Sequence, residues 1–295
     1  MTRRDIILVI LIVVVVILTA LFLVLFALVA VSPKSITARL WSVADSPISI
    51  AVVSTFIAAF AGTWGAQVLA EKTARRKEQL AEIRGTNAAI GLAFNIANTY
   101  ITTKKQLVRD LVAEYERQSA EWQEHCSGVA AGTIPPGMPF KYQIELRTTF
   151  MPFSPVEELR QILRDRISPD GKAMILLTPL IQSIRGFADT VAQRNTWIEQ
   201  YKRVPDETRG AHLYFGTSYA AGRADDRYPN FIKAIERQTD DCIAFSIMIT
   251  ESLKRYGDRL AGQYGPGAPT ISAPDFGRAG DLLPDMRHYS EWVQT

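Results

Sequence analysis

The pattern of apolar and polar positions changes character along the chain. Residues 6–31 are apolar apart from Thr19 and carry no charge, and residues 47–70 are likewise uncharged. At 1.5 Å of rise per residue, the first run exceeds a hydrocarbon core of about 30 Å. It predicts a retained transmembrane helix rather than a secretory signal, whose apolar core is usually about 7 to 15 residues. The second run predicts a partner span, giving a hairpin whose external loop covers residues 32–46. Arg3 and Arg4 lie in the short segment 1–5, and Lys72, Arg75, Arg76, Lys77 and Arg84 follow the second run, whereas the loop holds only Lys34 and Arg39. Basic flanks stay on the cytoplasmic side, so both termini are expected in the cytoplasm of a protein integral to the cell membrane. Trp41 and Trp64 are candidates for interfacial anchors.

Within the second run, Ser54, Ala58, Gly62, Ala66 and Ala70 recur every four residues and form a small-residue stripe widened by Ala61 and Gly65. Such a stripe lets helix backbones approach closely. It is expected to pack against the first span, or to make a homo-oligomeric contact or the wall of a pore. Gln67 stands near its cytoplasmic end.

From residue 71 the period becomes that of amphipathic helices. Leu80, Ile83, Asn87, Ile90, Phe94, Ala97, Ile101, Lys104, Val108, Leu111, Tyr115, Gln118 and Trp122 follow an unbroken heptad register without a proline, predicting one long helix to about residue 124. The seam suits either a two-chain coiled coil or the core face of a bundle; Ala88, Ala89, Leu92, Ala93 and Ile96 widen it toward the bundle. Asn87, Asn95 and Asn98 make this stretch a poor membrane span. Gly85 and Gly91 are its candidate bending points.

Residues 128–139 are rich in Gly and Pro and read as a loop. In residues 141–150, Tyr142, Ile144, Leu146, Thr148 and Phe150 alternate with Lys141, Gln143, Glu145 and Arg147, predicting a short strand or strand-like arm. Its only strand partner in the sequence would be residues 212–215. Ser154, Pro155 and Glu157 form a helix-start signal, with Val156, Leu159, Ile162 and Leu163 inward. After a turn at residues 168–171 comes a helix to about residue 203. Pro179 kinks it or begins it anew, and Ile175, Leu176, Leu180, Ile181, Ile184, Phe187, Val191 and Ile198 face the core. Residues 226–264 give a last long helix that Gly265 and Pro266 end, with Phe231, Ile232, Ile235, Cys242, Ile249, Leu253, Tyr256 and Leu260 inward. The expected fold is mostly α: two membrane helices, a cytoplasmic bundle over residues 71–264 with one strand-like arm, and a Pro- and Gly-containing tail over residues 265–295. In layout alone, this is similar to small bacterial sensor scaffolds and to some membrane-acting defence effectors.

Charge narrows the function classes. Four of the 33 Lys and Arg and two of the 30 Asp and Glu lie before residue 71, leaving 29 against 28 in the rest. That balance argues against a dedicated nucleic-acid surface. The basic cluster Lys72, Arg75, Arg76 and Lys77 abuts the second apolar run and suits anionic lipid headgroups. Two cysteines, Cys126 and Cys242, imply no disulfide framework, and no CxxC or HExxH supplies a metal site.

Catalytic patterns are equally thin. Gly216, Ser218 and Ala220 miss the nucleophile elbow and lack its sheet. His125 and Cys126 are neighbours that diverge on a helix, and Glu157–Glu158 and Asp240–Asp241 have the wrong spacing to share a helix face. No phosphate-cradling GxxxxGK or GxGxxG occurs. The segment 209–227 reads as a long aromatic loop whose His212, Tyr214, Phe215, Tyr219, Arg223 and Asp225 are the candidate ligand or partner residues; otherwise its aromatics cap the bundle. The expectation is a non-catalytic, membrane-anchored binding, scaffold or signalling module without cofactor or metal, acting on an unidentified protein partner, a lipid surface or a small ligand. An oligomeric pore is the alternative, and a membrane-bound hydrolase the third reading.

Overall fold

The computed structural model describes residues 47–295 except 145, 169–170, 205–206, 219–222, 273 and 295, and it leaves out the side chains of 47–53, 56–57, 207–208 and 293–294. The expected first span at residues 6–31 and the loop at 32–46 lie outside the described residues. The chain divides into two compact units, residues 1–74 and 75–295. The boundary falls after Ala74 rather than Ala70, and the expected separate tail belongs to the same unit as the bundle.

The described residues are mostly helical and contain no strand. Helix α1 (Pro47–Thr103) runs through a π-helical turn, Lys104–Val108, into α2 (Arg109–Ala130). The predicted long helix is therefore present, with one wide turn that an unbroken heptad register did not announce. Helices α3 (Val156–Asp165), α4 (Lys172–Tyr201), α5 (Glu207–Phe215) and α6 (Arg227–Tyr264) follow, and 3-10 turns at Gly277–Leu282 and Met286–Tyr289 lead to α7 (Ser290–Gln294).

In the first unit, Ser54, Ala58, Gly62, Ala66 and Ala70 are all exposed, and nothing lies within 4 Å of where a Cβ on Gly62 or Gly65 would stand. Phe60 and Trp64 are 60% and 64% exposed, and Val68 and Leu69 are open as well. Among the described residues no helix is long and apolar enough to cross a membrane. Gly62, Thr63, Gly65 and Gln67 dilute the described part of residues 47–70, and α1 continues directly into Glu71 and Lys72.

In the second unit the heptad seam faces inward. Ile83, Ile90, Ala97, Val108, Leu111, Tyr115, Gln118 and Trp122 are buried, and none of the other seam residues is exposed. The seam packs inside one bundle, where α4 and α6 make the most extensive helix pair. Pro179 lies within an α4 that stays continuous. Ile175, expected inward, is exposed beside Met174, while Ala173, Leu176, Leu177 and Leu180 turn to the core. Ser154 does not cap α3; Pro155 holds that position and its carbonyl accepts from the Leu159 N–H at 3.2 Å.

The tail packs back on the bundle. Tyr289 donates to Asp241 at 2.8 Å, Phe276 meets Phe94 with ring centres 5.5 Å apart, and Asn87 donates to the Thr270 carbonyl at 3.0 Å. Burial raises the Asp241 carboxyl above its ordinary pKa, which the bond from Tyr289 partly opposes.

The strand-like arm forms no strand among the described residues. Residues 212–215, the expected partner, are part of α5. The inward–outward alternation holds through Arg147, with Tyr142, Ile144 and Leu146 half-buried and Lys141, Gln143 and Arg147 exposed, and then breaks: Thr148 and Phe150, of the same series as Leu146, are exposed, and Thr149 is half-buried. Helix side chains take the place of a ladder. Gln118 accepts from the Gln143 N–H at 2.8 Å and donates to its carbonyl at 2.6 Å. Asn195 accepts from the Thr149 N–H at 3.0 Å and donates to its carbonyl at 2.7 Å. A carboxamide that holds both backbone groups of one residue requires extended geometry there. Replacing Gln118 by Leu leaves the partly buried N–H and C=O of Gln143 without these partners. It is expected to lower stability by about 1–3 kcal/mol and to open residues 141–150 to protease, as read by urea denaturation and limited proteolysis.

Candidate functional site

The segment 209–227 is not one loop. The inward residues Ala211, Tyr214 and Phe215 keep helical spacing through α5. Gly216 then stops the helix in the left-handed region at φ +71°, and Thr217 N–H reaches back to the His212 carbonyl at 3.0 Å. Gly210 is needed for close approach, since a Cβ there would stand 2.7 and 2.8 Å from the hydroxyls of Tyr201 and Tyr142. Those two hydroxyls share a hydrogen bond of 2.8 Å.

The expected site residues are therefore separated. Tyr214 and Phe215 are buried in an aromatic cluster with Tyr115, Trp122 and Tyr228. Ring centres lie 5.6 Å apart for Tyr115–Tyr214, 5.5 Å for Trp122–Phe215 and 4.5 Å for Tyr214–Tyr228. Burial drives the Tyr214 hydroxyl far above its ordinary pKa, so it is a neutral hydrogen-bonding group. His212 turns to a cavity of about 280 Å³ lined also by Trp122, His125, Cys126 and Phe140. Its Nδ1 lies 2.8 Å from the Thr217 hydroxyl, which also accepts from the Trp122 indole at 3.2 Å. Arg223 is exposed, and its carbonyl accepts from Ser218 at 3.3 Å. Asp225 accepts from the Arg227 guanidinium at 2.7 Å, and that bond holds its carboxyl below the usual range. Tyr219 lies outside the described residues.

None of the catalytic patterns acquires supporting geometry. Burial pushes the Cys126 thiol up, away from the thiolate a nucleophile needs. Ser218 follows a helix end instead of standing on a strand-to-helix elbow. Asp240 pairs with Lys104 at 2.6 Å, and Asp241 is engaged by Tyr289. Among the described residues no group of three or more His, Cys, Asp or Glu is placed to hold a metal ion.

The π-helical turn marks a different place. Wide turns of this kind are rare and recur at functional sites. Thr103, Gln106 and Leu107, in and beside this one, line a groove of about 800 Å³ between the long helix and the arm. Asn98, Thr99, Thr102, Asp110 and Glu114 continue the helical wall, and Arg147, Thr148, Thr149, Phe150 and Pro152 form the other. The floor is Tyr214 and Arg194. Arg194 is 1% exposed, donates to the Arg147 carbonyl at 3.1 Å and to the Tyr228 hydroxyl at 3.4 Å, and stands 5.7 Å from the Tyr228 ring centre. It anchors the arm from below. The lining is rich in hydroxyl and amide groups and poor in nucleophiles activated by a base, which suits recognition.

Of the expected residues only Tyr214 belongs to this groove. Arg194 was absent from the expected core stripe of α4, yet it stands in register with Phe187, Val191 and Ile198. A guanidinium at a core-facing position was the available signal. No protein-family model matches this chain, and no curated protein or solved structure is similar to it.

Because Tyr214 joins the aromatic cluster to the groove floor, Tyr214→Ala is expected to cost about 3–5 kcal/mol of stability, as for other buried aromatic truncations. Tyr214→Phe keeps the ring and is expected to lose less than about 1.5 kcal/mol, with denaturation midpoints distinguishing the two.

Proposed function

We propose that the chain is a membrane-anchored helical bundle that binds a partner without catalysis, at the inner face of the cell membrane, in the groove beside the π-helical turn. The observation that carries this reading is the groove itself, about 800 Å³ of hydrogen-bonding surface beside a wide helical turn. Anchoring would fall to residues 6–31 and 47–70, with both termini cytoplasmic. In its support, the uncharged stretch 47–70 presents Phe60, Trp64, Val68 and Leu69 outward, where a water-exposed helix would carry charge. Lys72, Arg75, Arg76 and Lys77 follow at once, and each basic residue near an anionic membrane surface contributes about 1 kcal/mol. Helix α1 leads from that stretch to the groove, so a shift or rotation of the helix would couple the two.

A photoreactive amino acid at exposed Thr102, in membranes containing the full chain, is expected to give discrete adducts that a second change, Thr99→Trp, removes by filling the groove. Adducts that persist in the filled variant, or none from Thr102, would overturn the reading.

The exposed small-residue stripe favours a second reading, self-association of the anchor and, with enough copies, a pore. Two membrane helices of a single chain cannot enclose an aqueous path. The protein mass of the full chain in mild detergent is expected to be that of a monomer or dimer. An oligomer of four or more chains that Gly62→Leu dissociates would favour the pore.

A further inference from the structure

We infer that the groove takes an extended peptide segment of another protein, which pairs through its backbone with the free edge of the arm at Thr148 and Phe150. The inference rests on the binding reading above and names its partner class.

The argument starts from the arm's own hydrogen bonds. In an extended chain, the N–H and C=O of one residue point to one edge and those of the next residue to the other. The residues held by helix side chains are Gln143, through Gln118, Arg147, through Arg194, and Thr149, through Asn195. Arg147 and Thr149 are two residues apart, so the edge they share is fastened. The backbone groups of Ile144, Leu146, Thr148 and Phe150 make no hydrogen bond among the described residues. That leaves a free edge with the alternating donors and acceptors that an added strand satisfies.

The groove supplies the room. Arg147, Thr148, Thr149, Phe150 and Pro152 line it on the arm side, and the helical wall opposite offers Asn98, Thr102 and Gln106 to side chains of an inserted strand. Residues 148–150 present about 10 Å of edge along the groove at roughly 3.3 Å per residue. Phe150 is 86% exposed at the end of this edge, where an apolar side chain of the occupant would cover it. A second copy of this chain is a poor occupant. Its arm is fastened to its own helices at Gln143 and Thr149, and a helix closes the far side of the groove. A loose extended segment has neither obstacle.

The test uses the full-length protein in lipid nanodiscs and a displayed library of random linear 12-residue peptides. Peptides are expected to enrich on the wild type, and one of them, carrying N-methyl groups at single positions, should lose at least tenfold in affinity at every second residue of its central part. Thr148→Pro removes an N–H that the fold does not use, and the preceding residue already suits a proline. It should weaken binding at least tenfold, while hydrogen exchange at Gln143 and Thr149 stays protected. No enrichment over empty discs, or binding indifferent to backbone methylation, would overturn the inference. If Thr102 adducts form in membranes while no peptide enriches, the groove is a binding site for something other than a peptide. If neither is seen, both readings fall.

Discussion

Nine consecutive residues of α6, Cys242 to Thr250, are all buried. A helix that is apolar around its full circumference must be sheathed on every side, and much of the bundle follows from that demand. Helix α4 lies along one flank, and Tyr100 of α1 approaches Cys242 closely enough to interact with its thiol. The side left over is covered by the tail, where Tyr289 and Trp292 set their rings edge-on to Phe245 with centres 5.7 and 5.5 Å away. Hydroxyls on this helix turn back to it: Thr239 donates to the Ile235 carbonyl at 2.6 Å and Thr250 to that of Ser246 at 2.9 Å. These two threonines need no cross-helix partner, whereas the buried Ser246 hydroxyl between them has no hydrogen-bond partner among the described residues.

With the tail committed to α6, the aromatic cluster of Tyr115, Trp122 and Tyr214 is covered by the short helix α5 together with the chain that follows α2. Pro135, Pro136, Pro139 and Gly137 prevent that chain from becoming a helix. It covers as an extended arm, with Phe140, Tyr142, Ile144 and Leu146. An arm without a sister strand must still satisfy its backbone, and Gln118, Arg194 and Asn195 do so on one edge. The groove is a consequence of the same choice: a single extended chain is thinner than a helix, and none of the described residues fills the space left beside the π-helical turn.

The helices were legible because their causes are local. Heptad spacing from Leu80 to Trp122 and the stop at Gly265 each correspond to structure. What escaped was set by distant partners. Alternation in residues 141–150 is the same for a strand and for an arm held by amides, and only the absence of a second strand separates them. Residues 209–227 looked like a loop because Gly210 and Gly216 bracket a short run of aromatics, yet packing against Tyr115 and Trp122 holds that run as helix. Ile175 fits the α4 stripe by type but lies on its open face. The π-helical turn adds width without breaking the apolar register, so periodicity passes over it. Arg194 and Gln118 were visible as polar intruders at core positions; what they hold lies 47 and 25 residues away in the chain.

The proposed coupling between anchor and groove makes a quantitative demand. A ligand shifts a helix only by its differential affinity for two arrangements of that helix, however tightly it binds. A tenfold shift requires about 1.4 kcal/mol, roughly the net worth of one or two hydrogen bonds. The wall of the groove is the π-helical turn, and Lys104 in that turn is held on its other side by Asp240 at 2.6 Å, a partly buried pair. Val108 of the same turn is buried in the seam, so an occupant that bonds to the turn's groove face acts against that packing as well as against the charged contact.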